Sequence, residues 1–244
     1  MRGGRLRRLI GRARHWPIHP QWLLSTKDEA GQLAKTLARF GGTVVDIGCA
    51  DGRLSTMLPD TCRYVGLDYP GTAVGLYGTR PDVFADAAHL PFGDASVDGV
   101  ILKDVLEHVR NPEMALAEIA RILRPAGQLM LWMPFLYPIH DAPHDYQRFT
   151  EHGLRASLAG HGFEVESLKP VLHNIETAML MACLALADTG EQILVRRRFL
   201  LFPTLPILGC LVLIANLGGR CLAWLPGTRF MPAFYRLVAI RAAT

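Results

Sequence analysis

Short β-branched and aliphatic runs alternate with helix-patterned segments over some 150 residues, and this alternation constrains the chain more than any other feature. TVVDIG at 43–48, RYVGLD at 63–68, DVFADA at 82–87, SVDGVILK at 96–103, GQLMLWMP at 127–134 and FEVESLKPVL at 163–172 read as strands. Each is short, apolar and bounded by turn residues. Between them, a segment from about 28 to 40, DGRLSTML from Asp51, NPEMALAEIARILRP at 111–125 and EHGLRASLAGHG at 151–162 read as helices. Strand–helix alternation of this length predicts an α/β fold with a doubly wound, mainly parallel sheet. Such sheets bind ligands at the carboxyl ends of their strands, near the point where strand order reverses. The residues just after each strand are therefore the candidates for function.

After the first strand comes DIGCADG, with Asp46, Gly48, Cys49, Ala50, Asp51 and Gly52. Glycines here let the backbone turn sharply and approach a ligand. The spacing is not G-x-G-x-x-G, and an acid inside the turn disfavours a pyrophosphate. Asp68 ends the second strand, where a carboxylate can accept bonds from both hydroxyls of a ribose. Asp86 follows the third, where it can accept a bond from an adenine amino group. Asp is common in turns, so each acid alone says little; together they form a nucleoside-binding set.

These segments resemble a known family. VVDIGCADGRL, YVGLD, ADAAHLPFGDASVDGVI, VLEHVRNPEMALAEIARILRPAGQLMLWMPF and YQRFTEHGLRASLAGHGFEV are similar, in order and spacing over residues 43–168, to the class I S-adenosylmethionine-dependent methyltransferases. The nearest branch includes quinone-biosynthesis methyltransferases and glycan- or lipid-associated relatives. The resemblance implies a Rossmann-like seven-stranded sheet and S-adenosylmethionine as cofactor. It implies that Asp46 and the turn of Gly48, Cys49, Ala50 and Gly52 hold the methionine portion, that Asp68 binds the ribose, and that Asp86 and the Ala87 backbone face the adenine. Lys103 contributes backbone contacts near the amino acid portion. His108, in LEHV, is either catalytic or a packing residue of its turn. Two positions depart from the family: Ala50 stands where Gly is usual, and Ala126 replaces the second Gly of Pro-Gly-Gly. A positive φ at position 50 would cost Ala on the order of 1 kcal/mol.

Methyl transfer from a sulfonium is an in-line displacement, governed mostly by alignment and desolvation. A hydroxyl acceptor also needs a base. The loop after the fifth strand carries HDAPHDYQRFT at 140–150, where such a sheet opens onto the acceptor. His140 or His144, oriented by Asp141 or Asp145, is the expected base. The alternative is that Asp145, Arg148 and Thr150 pin the loop and cap the next helix. H-D-x-x-H-D also offers metal ligands, but the family's mechanism requires none and no metal site is assigned.

Beyond residue 173 the composition changes. NIETAMLMACLALAD is nearly apolar, Arg196, Arg197 and Arg198 follow, and Phe199–Leu217 is an uncharged run of nineteen residues interrupted by Pro203, Pro206, Gly209 and Asn216. The run is long enough to span a bilayer, yet PAFYRLVAIRA at 232–242 reads as a last strand returning to the sheet. A helical hairpin or an element lying in the membrane interface satisfies both. A lid buried on the core, or cover by a second copy in a homodimer, is the alternative. The first fourteen residues carry six Arg and no acid, leaving 20 basic and 22 acidic residues elsewhere. That balance excludes a basic nucleic-acid-binding core. Leu6, Leu9, Ile10 and Ala13 share one helical face, a pattern suited to an anionic membrane surface. Five unpaired Cys fit a reducing compartment.

The expected organisation is a basic amphipathic segment (1–20), a cofactor-binding core (21–173), an apolar helical insertion (174–231) and the returning strand (232–244). The expected function is methyl transfer to a small-molecule or lipid-linked acceptor, on oxygen, at the cytoplasmic face of a membrane. The alternatives are a catalytically silent S-adenosylmethionine-binding module and a nicotinamide-dependent oxidoreductase.

Overall fold

The computed structural model describes residues 14–26 and 29–243. The amphipathic face expected at Leu6, Leu9, Ile10 and Ala13 lies outside them. Seven strands form one sheet in the order β3-β2-β1-β4-β5-β7-β6: β1 Gly42–Ile47, β2 Cys62–Asp68, β3 Val83–Phe84, β4 Val97–Lys103, β5 Leu123–Pro134, β6 Phe163–Val171 and β7 Phe234–Arg241. β1 pairs in parallel with β2 and β4, and β7 pairs antiparallel with β5 from Gln128↔Ile240 to Pro134↔Phe234.

The near-continuous apolar character of the central strands follows from cover on both faces. Val45, Ile47, Val100, Leu102, Leu129 and Leu131 join Leu116, Ile119 and Ile122 of the Pro112–Ile122 helix in one core. The alternate residues Val44, Ile101, Met130 and Trp132 join Leu33 and Leu37 of the Glu29–Leu37 helix in another. Phe40 reaches the second core because residue 99 is Gly; a Cβ there would lie 2.3 Å from its ring.

The local structure departs from the sequence reading in three places. DGRLSTML forms only a 3-10 turn, Arg53–Met57, after Gly52 at φ 69°; Pro59 cannot continue a helix. The third strand is two residues long. β5 begins at Leu123, directly after the helix, so Pro125-Ala126-Gly127 lies within the strand. The helix start at Thr150 is as expected: its hydroxyl accepts the Gly153 N–H at 3.1 Å.

The chain divides into two compact units. One comprises Ala30–Phe135, Ile139–Lys169 and Phe234–Thr244, and holds most of the sheet. The other comprises the described part of Met1–Glu29, Leu136–Pro138 and Pro170–Ala233. In this second unit the helices Asn174–Val195 and Leu205–Cys221 pack together, with Arg196, Arg197 and Arg198 in the connection. Asn216, which interrupts the apolar run, is fully buried and donates to the carbonyls of Pro17 (2.6 Å) and His19 (2.9 Å). Gly219 lets Leu23 and Met179 close on the helix; a Cβ would meet them at 3.0 and 3.1 Å.

Candidate active site

The carboxyl ends of β1, β2 and β4 open into a cavity of about 560 Å³, which lies within the sheet-bearing unit. The turn after β1 sets its floor. Gly48 has φ 73°, and a Cβ there would lie 2.3 Å from Val105, so the turn closes only with glycine. Ala50 has φ 47°, the strained conformation its replacement of Gly made a concern. Its N–H donates to Asp68 Oδ2 at 3.0 Å, which holds the turn despite the Cβ. Asp68 Oδ1 accepts the Tyr69 N–H at 2.7 Å and the Thr72 hydroxyl at 3.0 Å. Asp86 Oδ1 accepts the Ala88 N–H at 2.9 Å. Ala50, Asp104 and Asp141, all at positive φ, line the cavity together.

Of the residues singled out in the sequence for the cofactor, Gly48, Ala50, Asp68, Asp86, Ala87 and Lys103 line the cavity. Asp46, Cys49 and Gly52 are not among its lining residues. Asp46 is buried and accepts the Tyr64 hydroxyl at 2.8 Å; burial pushes its carboxyl up to about 7. Burial likewise pushes the Cys49 thiol up to about 12, which makes it a buried packing residue and not a nucleophile. Gly52 donates to the Cys49 carbonyl at 2.8 Å and shapes the turn. The donor set fits a nucleoside: carboxylate acceptors at Asp68 and Asp86 face apolar walls from Ile47, Leu67 and Ala87.

The four catalytic candidates separate into two pairs. Asp141 and His144 line the cavity with His108, Arg110 and Tyr146. His144 Nδ1 lies 3.1 Å from the Tyr146 hydroxyl, which also accepts from Arg110 Nε at 3.1 Å. His140 and Asp145 are not among the lining residues. His140 Nδ1 lies 3.3 Å from Asp145 Oδ2, and the same carboxylate accepts the His140 backbone N–H at 3.0 Å. Arg148 grips Asp145 through both terminal nitrogens; its hydrogen bonds hold the Asp145 carboxyl down at about 2. Loop pinning and histidine orientation are thus done by one carboxylate, not by alternative arrangements.

Sequence reasoning missed Glu107. It is 0% exposed, and neither of its carboxylate oxygens has a hydrogen-bond partner. Burial, then the neighbouring Asp104, pushes its carboxyl up to about 8. His108 donates from Nδ1 to the His144 carbonyl at 2.6 Å, and burial lowers its basicity. The available signal was the acid in the apolar turn Leu106–His108, whose Leu106 is fully buried.

Part of the chain is similar to known proteins. Residues 45–131 match the family model described as a methyltransferase domain. A protein of Mycolicibacterium smegmatis, described as a probable S-adenosylmethionine-dependent methyltransferase, is 34% identical over 58% of this chain and 60% of its own. The O-methyltransferase cnsE of Penicillium expansum is 33% identical over 37% of each chain. The chain thus spans less than two thirds of these relatives. The crystal structure of an S-adenosylmethionine dependent methyltransferase from Mesorhizobium loti matches 89% of this chain and all of that one, with a TM-score of 0.53 at 17% identity, a likeness of fold. Residues 45–131 are thus similar to a methyltransferase domain, and the sheet order around them is shared with solved S-adenosylmethionine-dependent methyltransferases.

Proposed function

We propose that this chain transfers a methyl group from S-adenosylmethionine to an oxygen of a small-molecule or lipid-linked acceptor. The observation that carries the reading is one cavity lined by Asp68 and Asp86 and also by Asp141, His144 and Tyr146. When bound, S-adenosylmethionine supplies an electrophilic methyl group on a sulfonium. Asp68 would hold the ribose and Asp86 the adenine amino group. His144 would take the proton of the acceptor hydroxyl, with Tyr146 and Arg110 ordering its ring and the acceptor. The names of relatives such as cnsE support oxygen as the acceptor atom.

The same reading puts the protein at a membrane surface. The unit of paired apolar helices exposes Leu200, Ile207, Ile214, Leu217 and Trp224, and Arg196–Arg198 sit at the connection. Arg at the tip disfavours burial of that tip in the acyl core and suits helices lying in the headgroup region.

Calorimetric titration with S-adenosylmethionine, followed by labelled methyl transfer into separated lipid and aqueous cell extracts, tests the proposal. Binding followed by an alkali-stable label on oxygen in the lipid fraction is expected. Binding without transfer into any fraction would instead support a silent binding module, the reading that the strained Ala50 favours.

A further inference from the structure

Glu107 is a carboxylate in the wrong place for a soluble core. An unpaired, buried carboxylate costs several kcal/mol to keep ionised, yet neither oxygen receives a hydrogen bond. What faces it is two imidazoles. His108 Nε2 lies 3.8 Å and His140 Nε2 3.9 Å from Glu107 Oε1, and the three ligating atoms all fall within 4.8 Å of one another. The rings stand edge to face at 4.8 Å between centroids.

The far nitrogens of both rings are held by acceptors. His108 Nδ1 meets the His144 carbonyl at 2.6 Å; a carbonyl only accepts, so Nδ1 carries the proton and a neutral ring presents a bare Nε2. His140 Nδ1 lies 3.3 Å from Asp145 Oδ2, a carboxylate gripped by Arg148, and its Nε2 faces Glu107. Two imidazole nitrogens and a carboxylate without a hydrogen bond therefore converge. Outward N–H groups on a carbonyl and a carboxylate are the support that orients metal-binding histidines.

We propose that Glu107, His108 and His140 bind a divalent first-row transition cation. The donor set of two nitrogens and one oxygen favours Zn²⁺ or its neighbours over Mg²⁺ or Ca²⁺. Ligand atoms on a tetrahedral Zn²⁺ with bonds near 2.1 Å stand about 3.4 Å apart, so the side chains need to close by between roughly half an ångström and one and a half. Asp104, Asp145 and Arg148 are the other charged groups around Glu107. His108 also lines the cavity, which gives the cation's remaining positions a route to an acceptor oxygen. There it would act as a Lewis acid, easing loss of the acceptor's proton. That role rests on the proposed methyl transfer; the site itself does not.

The test is metal binding, measured apart from activity. Full-length protein without an affinity tag is stripped with chelator, then titrated with ZnCl₂, and with CoCl₂ followed by its visible absorption. One equivalent bound, with a Co²⁺ spectrum of nitrogen and oxygen ligation, is the expected result. Glu107→Gln and His140→Ala should each abolish it while S-adenosylmethionine binding, read by calorimetry, shows that the variants fold. Asp145→Asn should weaken metal binding by about 10- to 100-fold, as loss of an outer partner does. Should Glu107→Gln fail to fold, His140→Asn supplies the same comparison. Wild-type protein that binds less than a tenth of an equivalent, or variants that bind as wild type does, would overturn the site. Metal bound without methyl transfer would leave the site standing and count against the proposed activity.

Discussion

Asp68 Oδ2 accepts the Ala50 N–H at 3.0 Å, joining the end of β2 to the turn after β1 across the floor of the cavity. Its other oxygen accepts the Tyr69 N–H and the Thr72 hydroxyl. One carboxylate thus builds the turn and lines the cavity proposed to hold the nucleoside. Asp68→Ala removes the acceptor of three donors, each costing on the order of 1 kcal/mol when left unmet. The expected result is a loss of thermal stability together with S-adenosylmethionine affinity at least tenfold weaker. Asp68→Asn keeps an acceptor for part of the set and should recover more stability than affinity. Thermal melts and calorimetry on the same preparations separate the two effects.

Ala50 and Ala126, the two departures from the family pattern, have φ of 47° and 62°. Glycine occupies that conformation without the Cβ conflict, a difference of about 1 kcal/mol, partly offset by the greater freedom of glycine in the unfolded chain. Both Ala50→Gly and Ala126→Gly should therefore raise stability, by somewhat under 1 kcal/mol. Only Ala50 lines the cavity, so only Ala50→Gly should tighten S-adenosylmethionine, by a few-fold. A gain in affinity from Ala126→Gly would contradict this division.

These two alanines also show how far the sequence could be read. The β-branched strands placed the sheet and the acids at its strand ends, because those signals are local: period, burial and turn chemistry lie within a few residues. A positive φ at Ala50 was raised by the departure from the family's Gly, and its φ is 47°. The loop at 140–150 was harder. Its location at the acceptor end was legible, but the split of His144 to the cavity and His140 to Asp145 depends on contacts with Glu107 and His108, more than thirty residues away. In LEHV the apolar neighbours of Glu107 hint at burial, but the absence of a partner for its carboxylate is set by distant residues. The short 3-10 turn at Arg53–Met57 was overestimated as a helix because the pattern is ambiguous over one turn.

Asp46 gives the protein a pH-dependent stability. Its folded-state carboxyl, pushed up by burial to about 7, is well above the unfolded value near 3.8. The unfolded chain therefore releases its proton first, and stability falls as pH rises from about 4 to about 7, then levels off. The penalty at alkaline pH is on the order of a few kcal/mol. Asp46→Asn keeps an acceptor for the Tyr64 hydroxyl and removes the charge. The cofactor-free variant should be more stable than wild type above neutral pH and similar near pH 4, a gap that melts across the range will show. If the Asp46 charge serves the methionine portion, the same substitution weakens S-adenosylmethionine, and stability and affinity move in opposite directions.

His144→Ala should lower turnover by about 10²- to 10⁴-fold, the usual contribution of a proton acceptor, with S-adenosylmethionine affinity unchanged. The backbone carbonyl that positions His108 survives this substitution, so the loss would belong to the imidazole. Single-turnover rates with a saturating acceptor are the measurement. Turnover within threefold of wild type would remove His144 from the reaction and leave the loop a shaping role.

The exposed faces of the paired helices make the last prediction. Ile207 is 59% and Ile214 64% exposed, so neither holds the second unit together, and replacing them with Ser should leave its folding intact. In the headgroup region each would bury apolar surface at about 25 cal/mol per Å², a term large enough to change partitioning several-fold per residue. Full-length protein should bind vesicles of anionic lipid more tightly than neutral ones, through Arg196–Arg198. Ile207→Ser with Ile214→Ser should weaken both, whereas Arg196–Arg198→Gln should weaken only the anionic preference. Sedimentation with vesicles at two salt concentrations separates these terms, since salt screens the Arg contribution and not the apolar one. Equal binding by all three proteins would show that this hairpin is not the membrane contact; a concentration-dependent dimer broken by the Ile substitutions would show that a second copy covers it instead.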